Sequence, residues 1–356
     1  MNKIRALKQI FLESENIDGF LVFDHANLLW LTGFQGASAM FLPKKDENIV
    51  YVYNVNYSRA ESELTGVKVE LVNRGENIMT KIAKHASALK IKKLAVDTLS
   101  VENWRALSKH LGGEKMLELE NSYIRELRKV KDEEELELMQ KAGELTSKGM
   151  QIAQEVVAAG VKEYEVAAEI EYGMRKGGAS GIAFETIVAS GPNSAFPHGG
   201  CSDRKIRKGD LVVADVGATY KLYHSDMSRT FAVGKASEKQ KKLHQIVKSA
   251  QQIAIESIKP GVEAKHVDTV ARKKITESGF GEFFVHSLGH GVGLEVHEPP
   301  ILSPESEENL AVGNVVTVEP GIYLAGYGGI RIEDTIAIRK NGVEKLTNGS
   351  YIIGKE

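Results

Sequence analysis

The sequence predicts an α+β protein with two domains, in which a smaller α/β domain precedes a larger α+β domain. The chain has 356 residues, and at about 150 residues per domain two domains are expected. In the first third, short β-branched and aromatic runs alternate with helical patterns, as in α/β domains. Longer helical patterns separated by apolar strands fill the remainder. We place the boundary at residue 124, which gives domains 1–124 and 125–356.

The composition indicates a cytoplasmic globular protein. No apolar run approaches the roughly 18 residues of a membrane-spanning helix, and the start of the chain lacks the features of a secretory signal. The single cysteine, Cys201, fits a reducing compartment because it has no internal partner for a disulfide. Lysine and arginine number 46 against 48 acidic residues. We therefore expect no binding to nucleic acid or to a membrane surface.

The elements follow from apolar periodicity and from Gly and Pro stops. A charged run at 125–135 marks the domain junction and is interpreted as a solvated helix face. No phosphate loop or dinucleotide-binding fingerprint occurs in the first domain. The predicted helices cover residues 78–89, 132–159, 164–176, 238–258 and 265–277. The predicted strands cover residues 19–23, 48–53, 67–72, 93–97, 183–189, 210–216, 230–233, 315–318 and 335–338.

Two segments of the second domain resemble each other, and each carries two acids. In each, a glycine precedes the first acid by six residues, and an apolar run separates the two. The first segment contains Asp215 and Asp226, and the second contains Glu319 and Glu333, at offsets of 104 and 107 residues. We predict two related β-hairpins that each present an acid from either arm.

Acids in apolar strands predict a metal site. A lone acid of this kind is most often a strand-end cap or an ion-pair partner, but four in two related contexts are harder to explain in that way. Four converging carboxylates repel one another unless positive charge compensates them, and two divalent ions could do so. A candidate imidazole ligand is His290, which lies between Gly289 and Gly291, where the absence of side-chain bulk permits close approach.

At these residues the chain resembles the pita-bread metallopeptidases, which include methionine aminopeptidase, aminopeptidase P and prolidase (Xaa-Pro dipeptidase). The N-terminal motifs at 20–24 and 27–34 resemble the creatinase-like domain of the last two. The resemblance implies a pita-bread catalytic domain after a creatinase-type α/β domain, and a homodimer. The matching stretches of the second domain are 215–217, 225–230, 289–293, 318–323 and 329–334.

The resemblance also implies two divalent metal ions per subunit, of Mn, Co, Zn or Fe. Asp215 would bind one ion, Asp226 and Glu333 would bridge both, and His290 and Glu319 would complete the second. All five positions hold the residue type of the family, which favours an active enzyme.

The implied mechanism is attack of a metal-bridged hydroxide on the peptide carbonyl. Glu319 would carry the proton to the leaving nitrogen, and His297 would donate a hydrogen bond to the carbonyl oxygen or the tetrahedral intermediate. His198 and His286 match family histidines that contact substrate or support the site. Arg331 would hold carboxylates, including the carboxylate terminus of the substrate.

Among family members, prolidase acting on Xaa-Pro dipeptides is favoured. The N-terminal domain argues against methionine aminopeptidase, and the complete ligand set argues against creatinase. Aminopeptidase P, which releases an N-terminal residue from longer Xaa-Pro peptides, is the alternative. A third possibility is a non-enzymatic pita-bread module that binds peptides or proteins; such modules lose metal ligands, so the five residues count against it.

Overall fold

The computed structural model describes residues 3–13, 16–113 and 116–354. The chain divides into two compact units, Met1–Arg128 and Lys129–Glu356. The boundary predicted at residue 124 lies inside a helix, Ser122–Lys129, whose last residues coincide with this division. Within the described ranges, no helix is both long enough and apolar enough to cross a membrane.

The first unit contains a six-stranded mixed sheet with helices between its strands. The predicted strands and the helix at 78–89 are confirmed, each to within one or two residues. The strands are β1 Gly19–Val22, β2 Ala39–Pro43, β3 Ile49–Tyr53, β4 Lys68–Val72, β5 Leu94–Val96 and β6 Leu117–Leu119. The helices are α1 Lys3–Leu12, α2 His25–Thr32, α3 Asn54–Glu63, α4 Ile78–Ala88, α5 Val101–Leu111 and α6 Ser122–Lys129.

The strand order of this sheet is β4-β3-β2-β1-β5-β6. β1 runs antiparallel to β2 and parallel to β5, so the sheet is mixed. The apolar faces of the central strands meet α4 and α5 in one core that includes Leu21, Phe41, Ile82 and Leu107. The sequence prediction missed β2, β6 and several helices, although it assigned the class of the domain correctly.

The helices of the second unit lie close to their predicted ranges. The first of them, α7 (Glu133–Val156), is capped by Asp132, whose side chain accepts from the backbone of Glu135 in a capping box. The solvated face predicted for 125–135 is wrong in part, because Lys131 and Glu135 are each only 5% exposed and Arg128 is 4% exposed. The helices are α7 Glu133–Val156, α8 Glu163–Lys176, α9 Glu238–Ser257 and α10 Ala264–Glu277, with short 3-10 helices at Gly191–Ala195 and Gly281–Phe283.

The strands of the second unit form several small sheets. The run at 183–189 proves to be strand only in its second half, and the other predicted strands are confirmed. The strands are β7 Gly181–Ile182, β8 Ile187–Ser190, β9 Leu211–Val216, β10 Ala218–Tyr220, β11 Tyr223–His224, β12 Met227–Ala232, β13 Gly289–Gly291, β14 Glu298–Leu302, β15 Val315–Val318, β16 Gly321–Leu324, β17 Gly328–Arg331, β18 Asp334–Arg339 and β19 Gly342–Lys345.

The internal repeat is visible as two antiparallel strand pairs. β9 pairs with β12, placing Asp215 opposite Ser228, and β15 pairs with β18, placing Val318 opposite Asp334. The turns are longer than those of simple hairpins, since each contains two short paired strands, β10–β11 or β16–β17. Each long pair is backed by two helices: α7 and α8 share a core with β9 and β12, and α9 and α10 share one with β15 and β18.

Candidate metal centre

The five residues predicted to bind metal line one cavity of about 560 Å³ in the second unit. All five lie at or next to the ends of the strands described above, and Asp226, His290 and Glu333 are buried. Asp215 and Glu319 are partly buried. Asp215 and His290 lie within β9 and β13, whereas Asp226 immediately precedes β12, Glu319 immediately follows β15 and Glu333 immediately precedes β18.

The ligand atoms are close enough to share a cation. One ligand atom from each of Asp226, His290 and Glu333 lies within 4.8 Å of the others. His290 Nε2 is 3.3 Å from Glu319 Oε1 and 3.8 Å from Asp226 Oδ2. Its Nδ1 is 3.0 Å from the Gly291 carbonyl oxygen. Since Nδ1 donates to that carbonyl, Nε2 is the nitrogen that faces the carboxylates.

Three carboxylate oxygens of the cluster lack a hydrogen-bond partner. Asp215 Oδ1, Asp226 Oδ1 and Glu333 Oε1 are buried and receive no hydrogen bond from the described residues. Buried polar atoms are almost always satisfied, and an oxygen-rich set with one imidazole is chemistry that divalent Mn, Co, Zn or Fe accepts. The residues present therefore fit divalent metal ions.

The pKa shifts of the cluster indicate that its carboxylates are not balanced by enough positive charge. Burial and the neighbouring carboxylates raise the pKa of both Asp226 and Glu333 well above the ordinary range. Burial would lower the pKa of His290, but its contacts with Glu319 and Asp226 outweigh that effect and raise it to about 9. Burial would raise the pKa of Glu319, but His290 lowers it to about 2. The raised pKa values of Asp226, His290 and Glu333 therefore favour bound protons at the positions where cations could bind.

Arg331 provides fixed positive charge beside the cluster. Its Nη2 donates to Asp215 Oδ2 at 2.7 Å, and its Nε donates to Ser228 Oγ at 2.8 Å. Its Nη1 donates to the Tyr323 hydroxyl at 2.9 Å and to the Pro197 carbonyl at 3.2 Å. The predicted hold on a carboxylate is seen for Asp215. Contact with a substrate carboxylate stays a prediction, since this side chain is only 3% exposed.

The three other predicted histidines also line the cavity, in different settings. His198 and His297 are exposed, and the His297 ring centroid lies 4.2 Å from that of His290. His286 is held instead: its Nδ1 donates to the Ser287 carbonyl at 2.7 Å, and its Nε2 lies 3.0 Å from the Tyr323 hydroxyl. Burial lowers the pKa of His286, so the neutral ring accepts from Tyr323. The geometry leaves His198 and His297 available to a ligand in the cavity.

Two hydroxyl groups at the site were missed by the sequence analysis. Ser228 Oγ donates to Glu333 Oε2 at 2.6 Å, and Thr317 Oγ1 lies 3.2 Å from Glu319 Oε1. Both orient a candidate ligand. Ser228 pairs with Asp215 across β9 and β12, and Thr317 lies two residues before Glu319, and this proximity to an acid is the signal that could have identified them. Cys201 is not among the residues that line the cavity. Partial burial raises its pKa to about 11, which disfavours a nucleophilic thiolate.

Apolar side chains form another part of the cavity wall. Phe184 and Val296 come from the segments that precede β8 and β14, and Ile187 and Ile301 lie within those two strands. The cavity thus joins an apolar surface to a charged, hydrogen-bonding cluster, as ligand sites do.

Comparison with known proteins identifies the family. Residues 137–340 match the model of metallopeptidase family M24. The chain belongs to metallopeptidase family M24. Residues 3–130 match the creatinase/prolidase N-terminal domain, so the expected pair of domains, with a pita-bread catalytic domain, is confirmed. As an M24 protein the chain is a peptidase, and the family implies divalent metal ions.

Individual relatives cover nearly the whole chain. A curated Xaa-Pro dipeptidase of Pyrococcus horikoshii is 42% identical over 338 residues, covering 95% of this chain and 94% of the relative. A solved prolidase of the same organism has a TM-score of 0.91 at 41% identity, with 98% and 99% of the two chains covered. A solved X-Pro aminopeptidase of Thermotoga maritima has a TM-score of 0.87 at 38% identity, with 95% and 97% covered.

Proposed function

We propose that this M24 peptidase hydrolyses the peptide bond before proline in Xaa-Pro dipeptides, using two divalent metal ions. The observation that carries the proposal is a set of three buried carboxylate oxygens that receive no hydrogen bond from the described parts of the chain, all from residues that line one cavity. Similarity to Xaa-Pro dipeptidases over almost the entire chain supports the choice of substrate. The enzyme is proposed to be a cytoplasmic homodimer.

The metal ions would be held by Asp215, Asp226, His290, Glu319 and Glu333. Bound there, divalent ions supply Lewis acidity, which polarises a carbonyl group and makes hydroxide available near neutral pH. Mn, Co, Zn and Fe all accept such ligands. Four carboxylates supply the negative charge that two divalent cations require.

The remaining chemistry belongs to side chains of this chain. Glu319 accepts a proton at its carboxylate from the attacking water and passes it to the proline nitrogen, which leaves as an amine. His297 donates a hydrogen bond to the carbonyl oxygen as negative charge develops on it. His198, exposed on the same cavity, contacts the substrate as a second donor.

The apolar side chains of the cavity wall account for the preference for proline. A pyrrolidine ring is compact and largely apolar, and Phe184, Val296 and Ile301 offer a surface of that character beside the charged cluster. Arg331 holds Asp215 in place, and its positive charge attracts the carboxylate of the dipeptide towards the same end of the cavity.

Aminopeptidase P activity is the second candidate, favoured by the similarity to the solved X-Pro aminopeptidase. Comparing Ala-Pro with Ala-Pro-Ala, on protein stripped of metal and reloaded with Mn²⁺, separates the two. The proposal predicts that kcat/KM is at least about tenfold higher for the dipeptide, a difference of about 1.4 kcal/mol. Faster cleavage of the tripeptide favours aminopeptidase P, and cleavage of neither favours the peptide-binding module.

A further inference from the structure

The segment that carries His198 has little regular structure of its own. It leaves β8 at Ser190, passes through the short 3-10 helix, and reaches β9 at Leu211. Pro197, His198 and Gly200 line the cavity, yet the His198 side chain has no hydrogen-bond partner in the described parts of the chain. The position of this imidazole is therefore set by the way the backbone around it is held.

A single buried carboxylate holds the part of this segment that contains His198, at Ser190 and at Ser202. Glu163, the first residue of α8, is 0% exposed. Its Oε1 accepts from the Ser190 backbone N–H at 2.7 Å and from the Ser190 hydroxyl at 2.6 Å. Its Oε2 accepts from the Ser202 backbone N–H at 2.9 Å and from the Ser202 hydroxyl at 2.6 Å. A fifth, longer hydrogen bond of 3.4 Å comes from Asn193 Nδ2 to Oε1. The five donors lie on either side of His198.

The same segment is tied to the metal centre on its other side. The Pro197 carbonyl, immediately before His198, accepts from Arg331 at 3.2 Å. The Ser194 hydroxyl accepts from the Gly329 backbone N–H at 2.9 Å. Both partners belong to β17, which leads to Glu333. The segment therefore lies between two anchors, the Glu163 carboxylate and the strand that precedes a metal-ligand candidate.

The chemistry of the anchor requires a carboxylate. Each oxygen of Glu163 receives two short hydrogen bonds, one of them from a backbone N–H, and an ionised carboxylate accepts at both oxygens. A glutamine of the same shape would turn an NH₂ group towards one pair of donors, leaving them unsatisfied in a buried place. The start of a helix further favours negative charge.

We propose that Glu163 is a positioning residue of the active site, which fixes the loop Ser190–Ser202 so that His198 meets the substrate. Glu163 itself lines no part of the cavity and acts through His198. The proposal rests on the proposed function for its kinetic part, because His198 is assigned to substrate contact there.

The test is a double-mutant cycle with a matched control. Glu163→Gln should lower kcat/KM on Ala-Pro by about 10- to 100-fold, as displacement of a contacting group by about 1 Å does, and should leave the metal content unchanged. In a His198→Ala background the same change should cost less than about threefold. Glu165→Gln is the control, because exposed Glu165 belongs to the same first turn and caps α8 without touching the loop; it should leave kcat/KM unchanged.

Hydrogen exchange supplies a readout that does not depend on turnover. Loop amides such as that of Gly199, which donates to the Phe196 carbonyl at 3.0 Å, should exchange at least tenfold faster in Glu163→Gln than in Glu165→Gln. Equal kinetic losses in both backgrounds, or unchanged exchange in the loop, would overturn the proposal.

Two further outcomes are separable. If the wild-type protein cleaves neither Ala-Pro nor Ala-Pro-Ala, the proposed function has failed, and the exchange comparison still decides whether Glu163 holds the loop. If Glu163→Gln does not fold, Ser190→Ala and Ser202→Ala remove one hydroxyl donor from each carboxylate oxygen. They should show the same dependence on His198, and additive effects would again overturn the proposal.

Discussion

The substitution Glu333→Gln removes one charge from the carboxylate cluster and keeps the size of the side chain. Ligand atoms of Asp226 and Glu333 lie within 4.8 Å of each other. Two unit charges at that separation repel by about 3.5 kcal/mol at an effective dielectric constant of about 20. Burial and this repulsion raise the pKa of Glu333 well above its ordinary value, which favours the protonated side chain in the metal-free protein. Glutamine imitates that state.

We therefore expect the effect of Glu333→Gln on the free energy of unfolding to differ between the metal-free and the metal-bound protein. In chelated protein at a pH below the ordinary pKa of glutamate, Glu333→Gln should change the free energy of unfolding by less than about 1 kcal/mol, since no ionised hydrogen-bonded group is lost. At neutral pH the variant should be the more stable protein, because the wild type takes up protons on folding and the variant does not. With free Mn²⁺ at 100 times its Kd, the wild type should gain about 2.7 kcal/mol. The variant should gain far less, because it lacks one of the ligands. Urea unfolding, followed by circular dichroism, measures both differences.

The pH dependence of the chelated protein follows from the same shift. Below the ordinary pKa of glutamate, Glu333 is protonated in both folded and unfolded chains. Its titration therefore takes nothing from the free energy of unfolding in that range. As the pH rises through the raised folded pKa, the unfolded chain has already released its proton, so the folded state loses stability relative to it. Wild-type stability should thus decline with rising pH more steeply than that of Glu333→Gln. Exposed Glu305→Gln is the control and should follow the wild type.

Two results would refute this reasoning. A loss of more than about 2 kcal/mol in chelated Glu333→Gln would mean that the carboxylate is ionised and stabilising without metal. An equal gain from Mn²⁺ in both proteins would mean that Glu333 is not a ligand.

Three other substitutions test separate parts of the site. Asp215→Ala should abolish metal binding and activity together, because it removes a partnerless buried oxygen; full activity would contradict the dinuclear assignment. His297→Ala should lower kcat about 10²- to 10³-fold, as loss of an oxyanion donor does, while metal content measured by mass spectrometry stays the same. Cys201→Ser should leave kcat/KM unchanged, since Ser can keep the contacts with Val188 and Thr186; a large loss would indicate thiol chemistry.

The sequence predicts those elements whose local pattern matches their surroundings. The apolar run of β15 is buried throughout, and α7 begins at a capping box that the acidic sequence around Asp132 encodes. The charged run at the junction was misinterpreted because its burial arises from tertiary pairing. Lys131 is satisfied by Glu298, 167 residues away, at 2.6 Å, and no local pattern contains that contact.

The site residues likewise divide into those that a local sequence pattern predicts and those that only tertiary contacts reveal. The repeat of glycine, apolar strand and acid predicts that four carboxylates converge, and the structure brings them to one cavity. Ser228 and Thr317 were not identified from the sequence, because the pattern of a strand does not show whether a hydroxyl group faces solvent or a carboxylate. Glu163 was not identified because an acid at the start of a helix is ordinary, and only the fold shows that it receives five donors from one loop.

The most direct test of a metal-dependent prolyl hydrolysis site is proline release by stringently chelated protein, measured as Mn²⁺ is added in known equivalents. The account predicts no release from Ala-Pro without metal, and a rise that ends at two equivalents per chain. Full activity in the chelated protein would contradict it, as would a rise that is complete at one equivalent.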